Sequence, residues 1–324
     1  MKKFVPLLIC LLLTASSASA EIKTYEGVGE YVMSDFETPD VAKLRAKQRA
    51  EASAQEQAGV FIRSNTKVIN SQVESEEIEV MTAGIMKIRS VTYDVKPDTA
   101  GFVFTSKVVA DIDTDEIDKW LEMNKDTKAE LLEQNKSLQA SLAAQEKQLA
   151  ELKAKLALAE KNQTLETQPA IRIEIARDFA QSNIIFLSDD RLDAGIKAHQ
   201  RGDLQGAINA YTEAIALNAK NVSALTWRGN AYGSLGNYQQ AIADFINALQ
   251  INNQNPTACI GLGIAYYSIR YYENAISALN AAIRLDGKNG KAYFVRANCY
   301  NAVGNKFAAM QDFSMARALN YNGE

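Results

Sequence analysis

Trp227-Arg228-Gly229-Asn230-Ala231-Tyr232, then Gly236-Asn237-Tyr238, Ala241-Ile242 and Phe245, is one unit of a pattern that returns every 34 residues. Ala207, Ala241, Ala275 and Ala309 keep that step, as do Ala214, Ala248, Ala282 and Ala316. Gly195, Gly229, Gly263 and Ala297 keep it too, with Leu217, Ile251, Leu285 and Leu319. Tyr232, Tyr266 and Tyr300 join them, with Ala198 in the first copy. A fixed period of this length marks a stack of supersecondary units, each burying its apolar face on the next. Small residues fit where the two helices of a unit cross closely, and Ile208, Ile242, Ile276 and Met310 are expected to face the core. Gly202-Asp203, Gly236-Asn237 and Gly304-Asn305 break the first helix from the second, because glycine takes the left-handed conformation at a helix end. The third copy has Arg270-Tyr271 there, and a different turn is expected.

These residues resemble the tetratricopeptide family. Four copies fit, at 188–221, 222–255, 256–289 and 290–323, within a repeat domain of 188–324. The proline usual near a repeat end survives only as Pro256. The resemblance implies a binding surface on the concave side, lined by the first helix of each pair. Leu192, Ile196, Trp227, Asn230, Ile260, Ile264, Tyr267, Phe294, Val295 and Asn298 are the side chains it points there. Asn230 and Asn298 match positions that hold a peptide backbone in the family. The basic clamp that grips a C-terminal carboxylate is not assembled, since Leu192, Thr226 and Ile260 stand where a cation would help. The expected ligand is an apolar peptide or helix. An apolar groove of this size is rarely left bare on a monomer, so either an outside partner or the chain itself fills it. The family usually closes with an extra polar helix. Only five residues follow Leu319, so the face of Phe307, Met310 and Phe313 is expected to be partly uncovered.

Upstream, residues 122–165 read as a coiled coil. Asp126 to Asn162 holds no Gly or Pro and is rich in Ala, Glu, Lys, Leu and Gln, a helix-favouring composition. Leu131, Leu138, Gln145, Leu152 and Ala159 recur every seven residues, and Asn135, Leu142, Leu149 and Leu156 form a second set offset by four. That is a two-position heptad seam, read as a homo-oligomerisation surface. Residues 166–187 are expected to be a linker. Within it, Ile171, Ile173 and Ile175 alternate like a strand, whereas Ile175, Phe179 and Ile184 suit a helix docked on the first repeat.

Residues 21–121 form a small α+β unit. Thr24 to Met33 reads as a strand, and Thr38-Pro39-Asp40 caps a helix running to about Ala58. Val60 to Val68, Ile85 to Val95 and Phe102 to Ile112 read as further strands. Glu26-Gly27-Val28-Gly29, the run from Arg45 to Ala52, Ala58-Gly59-Val60-Phe61-Ile62 and Val108-Val109-Ala110-Asp111-Ile112-Asp113 resemble the flagellar assembly T N-terminal and LPP20-type domains. That resemblance implies an envelope-assembly or surface role without catalysis. The expected fold is therefore multidomain, an antiparallel sheet with a helix, a coiled-coil helix, then an α-solenoid.

Residues 1–20 read as a secretory signal peptide: Lys2 and Lys3, an apolar run from Phe4 to Leu13, then Ala18-Ser19-Ala20 as the cleavage site. The run is too short to cross a bilayer, and Cys10 lies in its middle after Ile9, which argues against lipid modification. No later segment is apolar enough to span, so a periplasmic or secreted chain is expected. Loss of Lys2 and Lys3 takes the formal charge from −4 to −6, which gives no attraction to nucleic acid. Cys259 and Cys299 are expected to be buried free thiols. No enzyme chemistry, cofactor or metal is expected. His199 is the only histidine, and no phosphate-binding Gly-Lys-Ser/Thr loop exists. Asp111, Asp113, Asp115 and Glu122 mimic a calcium loop, but Glu116 stands where its turn needs glycine. The expected partner is an envelope protein or peptide.

Overall fold

The computed structural model describes residues 22–69, 82, 85–98, 101–113, 125–162, 166, 168–321 and 323. The signal peptide expected at 1–20 lies outside them, as do Asp115, Glu116 and Glu122 of the calcium-like run. No described helix is long and apolar enough to cross a membrane.

The N-terminal unit holds β1 (Ile22–Met33), α1 (Pro39–Ile69), β2 (Met86–Asp98) and β3 (Gly101–Asp113). The sheet order is β1-β3-β2, antiparallel throughout, with Gly27 and Val91 both opposite Val108. Ala42, Ala46, Ala50 and Ala54 are fully buried on α1. Gly27 and Gly29 make that approach possible, because a Cβ at either would run into the α1 backbone at Ala50 or Ala46. The strand expected at Val60–Val68 is absent: α1 continues through it to Ile69. Its β-branched residues outweigh helix propensity only weakly, and no turn residue separates them from the helix already running.

α2 (Lys125–Lys161) and α3 (Pro169–Gln200) are long helices lying antiparallel. The pairings Lys155–Asp178, Gln145–Asp189 and Gln134–His199 show this, since one number falls as the other rises. The linker expected at 166–187 is thus helix from Pro169 onward, with the proline at its first turn. α3 runs unbroken into the first repeat, so that repeat begins mid-helix. From Leu138 onward, the apolar residues of the heptad seam pack inside this chain. Leu149, Leu152, Leu156 and Ala159 pack with Tyr31, Phe104, Ile175 and Phe179. Leu138, with Leu142 beside it, packs with Leu192, Ile196 and Trp227. Leu131 and Asn135 are on the same helix, their side chains outside the described set.

The repeats follow as α4 (Leu204–Leu217), α5 (Val222–Ser234), α6 (Tyr238–Ile251), α7 (Pro256–Ser268), α8 (Tyr272–Leu285), α9 (Gly290–Ala302) and α10 (Lys306–Ala318). The crossing positions behave as their size demands. A Cβ on Gly229 would sit 2.8 Å from the Phe245 ring, and one on Gly263 would sit 2.6 Å from Leu279. Asn221, Asn255 and Asn289 cap α5, α7 and α9 by accepting from the amides of Ala224, Ala258 and Ala292 at 3.0–3.2 Å. Gly202, Gly236 and Gly304 turn with φ of +76°, +77° and +83°. The third turn does not differ as expected: Arg270 adopts φ +66° and keeps the same geometry. Cys259 and Cys299 are buried and unbonded.

Polar contacts lock the N-terminal unit to the first repeat. Glu37 accepts from Tyr31 Oη at 2.5 Å and from Ser34 N and Oγ at 3.0 and 2.8 Å, and Arg45 Nε lies 3.3 Å away. The Arg45 guanidinium covers the Phe186 ring of α3 at 4.0 Å. Glu51 of α1 meets Lys197 of α3 at 3.1 Å.

Candidate protein-binding groove

α3, α5, α7 and α9, the first helices of the repeats, carry the residues expected to line the groove. Its first part is occupied. Leu192 and Ile196 are buried beneath α2, where Leu138 joins them and Trp227 in one cluster. Polar partners frame this contact. Gln134 Nε2 is 3.3 Å from His199 Nδ1, and Ser137 Oγ is 3.0 Å from Ser223 Oγ. Asp189 accepts from Gln145 Nε2 at 2.6 Å, from Asn221 Nδ2 at 2.8 Å and from Ser141 Oγ. Burial pushes the Asp189 carboxyl up, opposed by the hydrogen bonds from Ser141, Asn221 and Gln145.

Beyond α2 the face opens into a groove of about 1100 Å³. Trp227, Asn230, Ile260 and Ile264 line it, with Glu133 of α2 at one border and Lys288, Asn289 and Lys291 at the other. These four belong to the set expected from the sequence. Tyr267 is 37% exposed and stacks at a tilt on Tyr272, 5.9 Å between centroids, outside the lining. Val295 and Asn298 are half-buried and also outside it. Phe294 is turned to the chain's own end: its ring meets Phe313 at 5.5 Å and Tyr321 at 5.6 Å.

Thr257 and Lys291 add polar groups to the lining, and the same sequence step places Ser223 and Asp189 beneath α2, against Ser137 and Ser141. They are spaced by 34 residues and were open to the same period search. Such a surface can hold a peptide or helix by apolar burial and amide hydrogen bonds. Among the described residues, no group of three His, Cys, Asp or Glu could hold a metal ion.

Residues 197–236 and 229–269 match a family model described as TPR repeat, and 256–289 match one described as tetratricopeptide repeat. No curated protein matches the chain. A crystal structure of MamA is 27% identical over 39% of this chain and 73% of its own, with a TM-score of 0.37. The Arabidopsis OM64 TPR domain is 28% identical over 36% of this chain and 98% of its own, at 0.36. The second TPR of Spaghetti (RPAP3), bound to the HSP90 peptide SRMEEVD, is 27% identical over 34% and 98%, at 0.30. At TM-scores this low these likenesses carry no argument. The 34-residue geometry and the family models agree by themselves: the helix pairs spanning residues 197–289 are tetratricopeptide repeats.

Proposed function

We propose that this protein is an exported interaction adaptor whose groove takes an apolar peptide or helix beyond the part filled by α2. One observation carries the reading: Leu138 closes over Leu192, Ile196 and Trp227, while the groove of about 1100 Å³ along Asn230, Ile260 and Ile264 stays open. This reading assigns self-filling to the first repeat, where Leu138 sits, and an outside partner to the rest. With Leu138, Leu149, Leu152 and Leu156 supporting this chain's own core, α2 acts as an internal strut rather than a seam between copies.

Export rests on Lys2, Lys3, the apolar run and Ala18-Ser19-Ala20, and makes the partner an envelope protein. The likeness of residues 21–121 to envelope-assembly domains supports a docking role for that unit. Nothing in the groove supports a reaction.

The test places a photoreactive residue at Ile264, which lines the open part, in intact cells. Trp227 is unsuited, being buried by Leu138. Reproducible capture of one distinct envelope protein is the expected result. Capture of the protein's own chain alone would contradict it. Intact mass of the mature chain tests export: loss of residues 1–20 is expected, and a retained N-terminus would refute it.

A further inference from the structure

The two ends of the repeat stack are finished differently. At the first end, α3 carries Asp190 and Lys197 where later units carry Ala224 and Ala231, Ala258 and Ala265, or Ala292 and Cys299. α1 covers that end: Gln48 Nε2 reaches Asp190 Oδ1 at 3.5 Å, and Lys197 Nζ lies 3.1 Å from Glu51 Oε2. The last end has no comparable cover among the described residues.

Within the stack, each second helix offers two apolar side chains to the next unit. Ile208 and Ile215 meet Ala224 and Ala231; Ile242 and Leu249 meet Ala258 and Ala265; Ile276 and Ile283 meet Ala292 and Cys299. On α10 the same two positions hold Met310 and Arg317. Met310 is 67% exposed. Phe307 is 69% exposed, at the position where earlier units carry Gln205, Gln239 and Glu273. A face that only had to meet water would keep the polar residue there, and this unit alone replaces it with an aromatic. Lys306 and Arg317 flank the apolar pair on the same helical stripe, and neither has an acidic partner among the described residues. Asp312 of the same helix is turned inward onto Arg296 at 2.7 Å. The chain's own tail lies elsewhere, with Tyr321 against Phe294.

We propose that this end of the stack docks an acidic amphipathic helix of a partner protein, seating apolar side chains on Phe307 and Met310 and carboxylates on Lys306 and Arg317. A helix is the shape required, because the face continues three internal junctions that each receive one. The cations set the charge of the partner. They also argue against a second copy: α10 on α10 would oppose like charges, and the acid at Asp190 lies under α1. Methionine gives the face an adaptable surface for such a helix. This site is separate from the concave groove, and its failure would leave the groove reading untouched.

The probe is a stapled fifteen-residue helix with leucines at i, i+3 and i+7 flanked by glutamates, titrated by fluorescence anisotropy into the full chain. Its twin carries lysines for the glutamates. At least tenfold tighter binding of the acidic helix is expected, weakened by salt. Phe307→Glu or Met310→Glu should abolish it, and Arg317→Glu should remove the preference for the acidic twin. All three side chains are exposed, so circular dichroism should show the fold retained. Equal binding of the twins, or binding that survives Met310→Glu, would overturn the proposal. So would a dimer of the full chain that Met310→Glu splits, since a second copy would then own the face.

Discussion

Arg270 turns with φ +66° where three sister units use glycine. A side chain there opposes the left-handed backbone, at a cost of roughly 1 kcal/mol. The unit keeps the geometry because Arg270 N still donates to Tyr267 O at 2.9 Å and Tyr271 N to Tyr266 O at 2.8 Å. Arg270→Gly should therefore raise stability by about 0.5–1 kcal/mol, read as a higher urea midpoint at unchanged slope. The thiols give a second test. Burial pushes the Cys259 thiol up and that of Cys299 to about 11, so neither supplies thiolate at neutral pH. The mature chain should resist a thiol reagent until it unfolds, and fast labelling of native protein would contradict the packing. At this scale most of the repeat was legible. Small, apolar and turn positions all keep one period because each answers to the same neighbour in every unit. The third turn was misjudged because the whole stack sets the backbone there, not the local residue.

The second and fourth units each hold a bidentate pair, Arg228 with Asp244 and Arg296 with Asp312, all N–O distances 2.7–2.8 Å. The acids are buried. The same two positions are Ala194 and Ala210 in the first unit, and Leu262 and Ala278 in the third. Charge appears at both positions or at neither, as expected when a lone buried charge is costly and an apolar pair fills the space. Asp244→Ala should cost about 3–5 kcal/mol by stranding Arg228, whereas Arg228→Leu with Asp244→Ala should recover most of it. Equal losses in the two variants, measured by denaturant unfolding, would show that the pair itself carries the stability. The long helices were only half legible. Their apolar stripes announce a buried face, but a heptad pattern is the same whether the cover is a copy or the next helix of the same chain. Leu138 and Leu149, expected on a seam between copies, pack here with residues of this chain's own α3 and sheet unit.

Glu51 ties the N-terminal unit to the stack through Lys197 and Lys47, each at 3.1 Å. Burial pushes its carboxyl up, but the two lysines together outweigh this and hold it below its ordinary value. Because the folded value is depressed, its contribution is fully present above about pH 4.5 and is lost as pH falls through the lowered value. Glu51→Gln should lower stability at neutral pH and flatten the acid limb of the stability curve; an unchanged limb would contradict the tie. Such long-range joins, Arg45 on Phe186 among them, were invisible in the sequence because charged residues on a helix carry no record of what they face. α2 has joins of its own, Lys153 Nζ donating to Val32 O of the sheet at 2.7 Å and Gln145 Nε2 to Asp189 of α3 at 2.6 Å, and its register puts Leu138 in one cluster with Trp227. That occupancy is the centre of the account, and a disulfide trap tests it most directly. Ser137 and Ser223 bring their hydroxyl oxygens to 3.0 Å, within reach of a disulfide after Ser137→Cys and Ser223→Cys. Under mild oxidation the full chain should close an intramolecular bond in high yield and run as a monomer without reductant. A ladder of intermolecular dimers, or two thiols left free, would mean that α2 does not lie in its own groove.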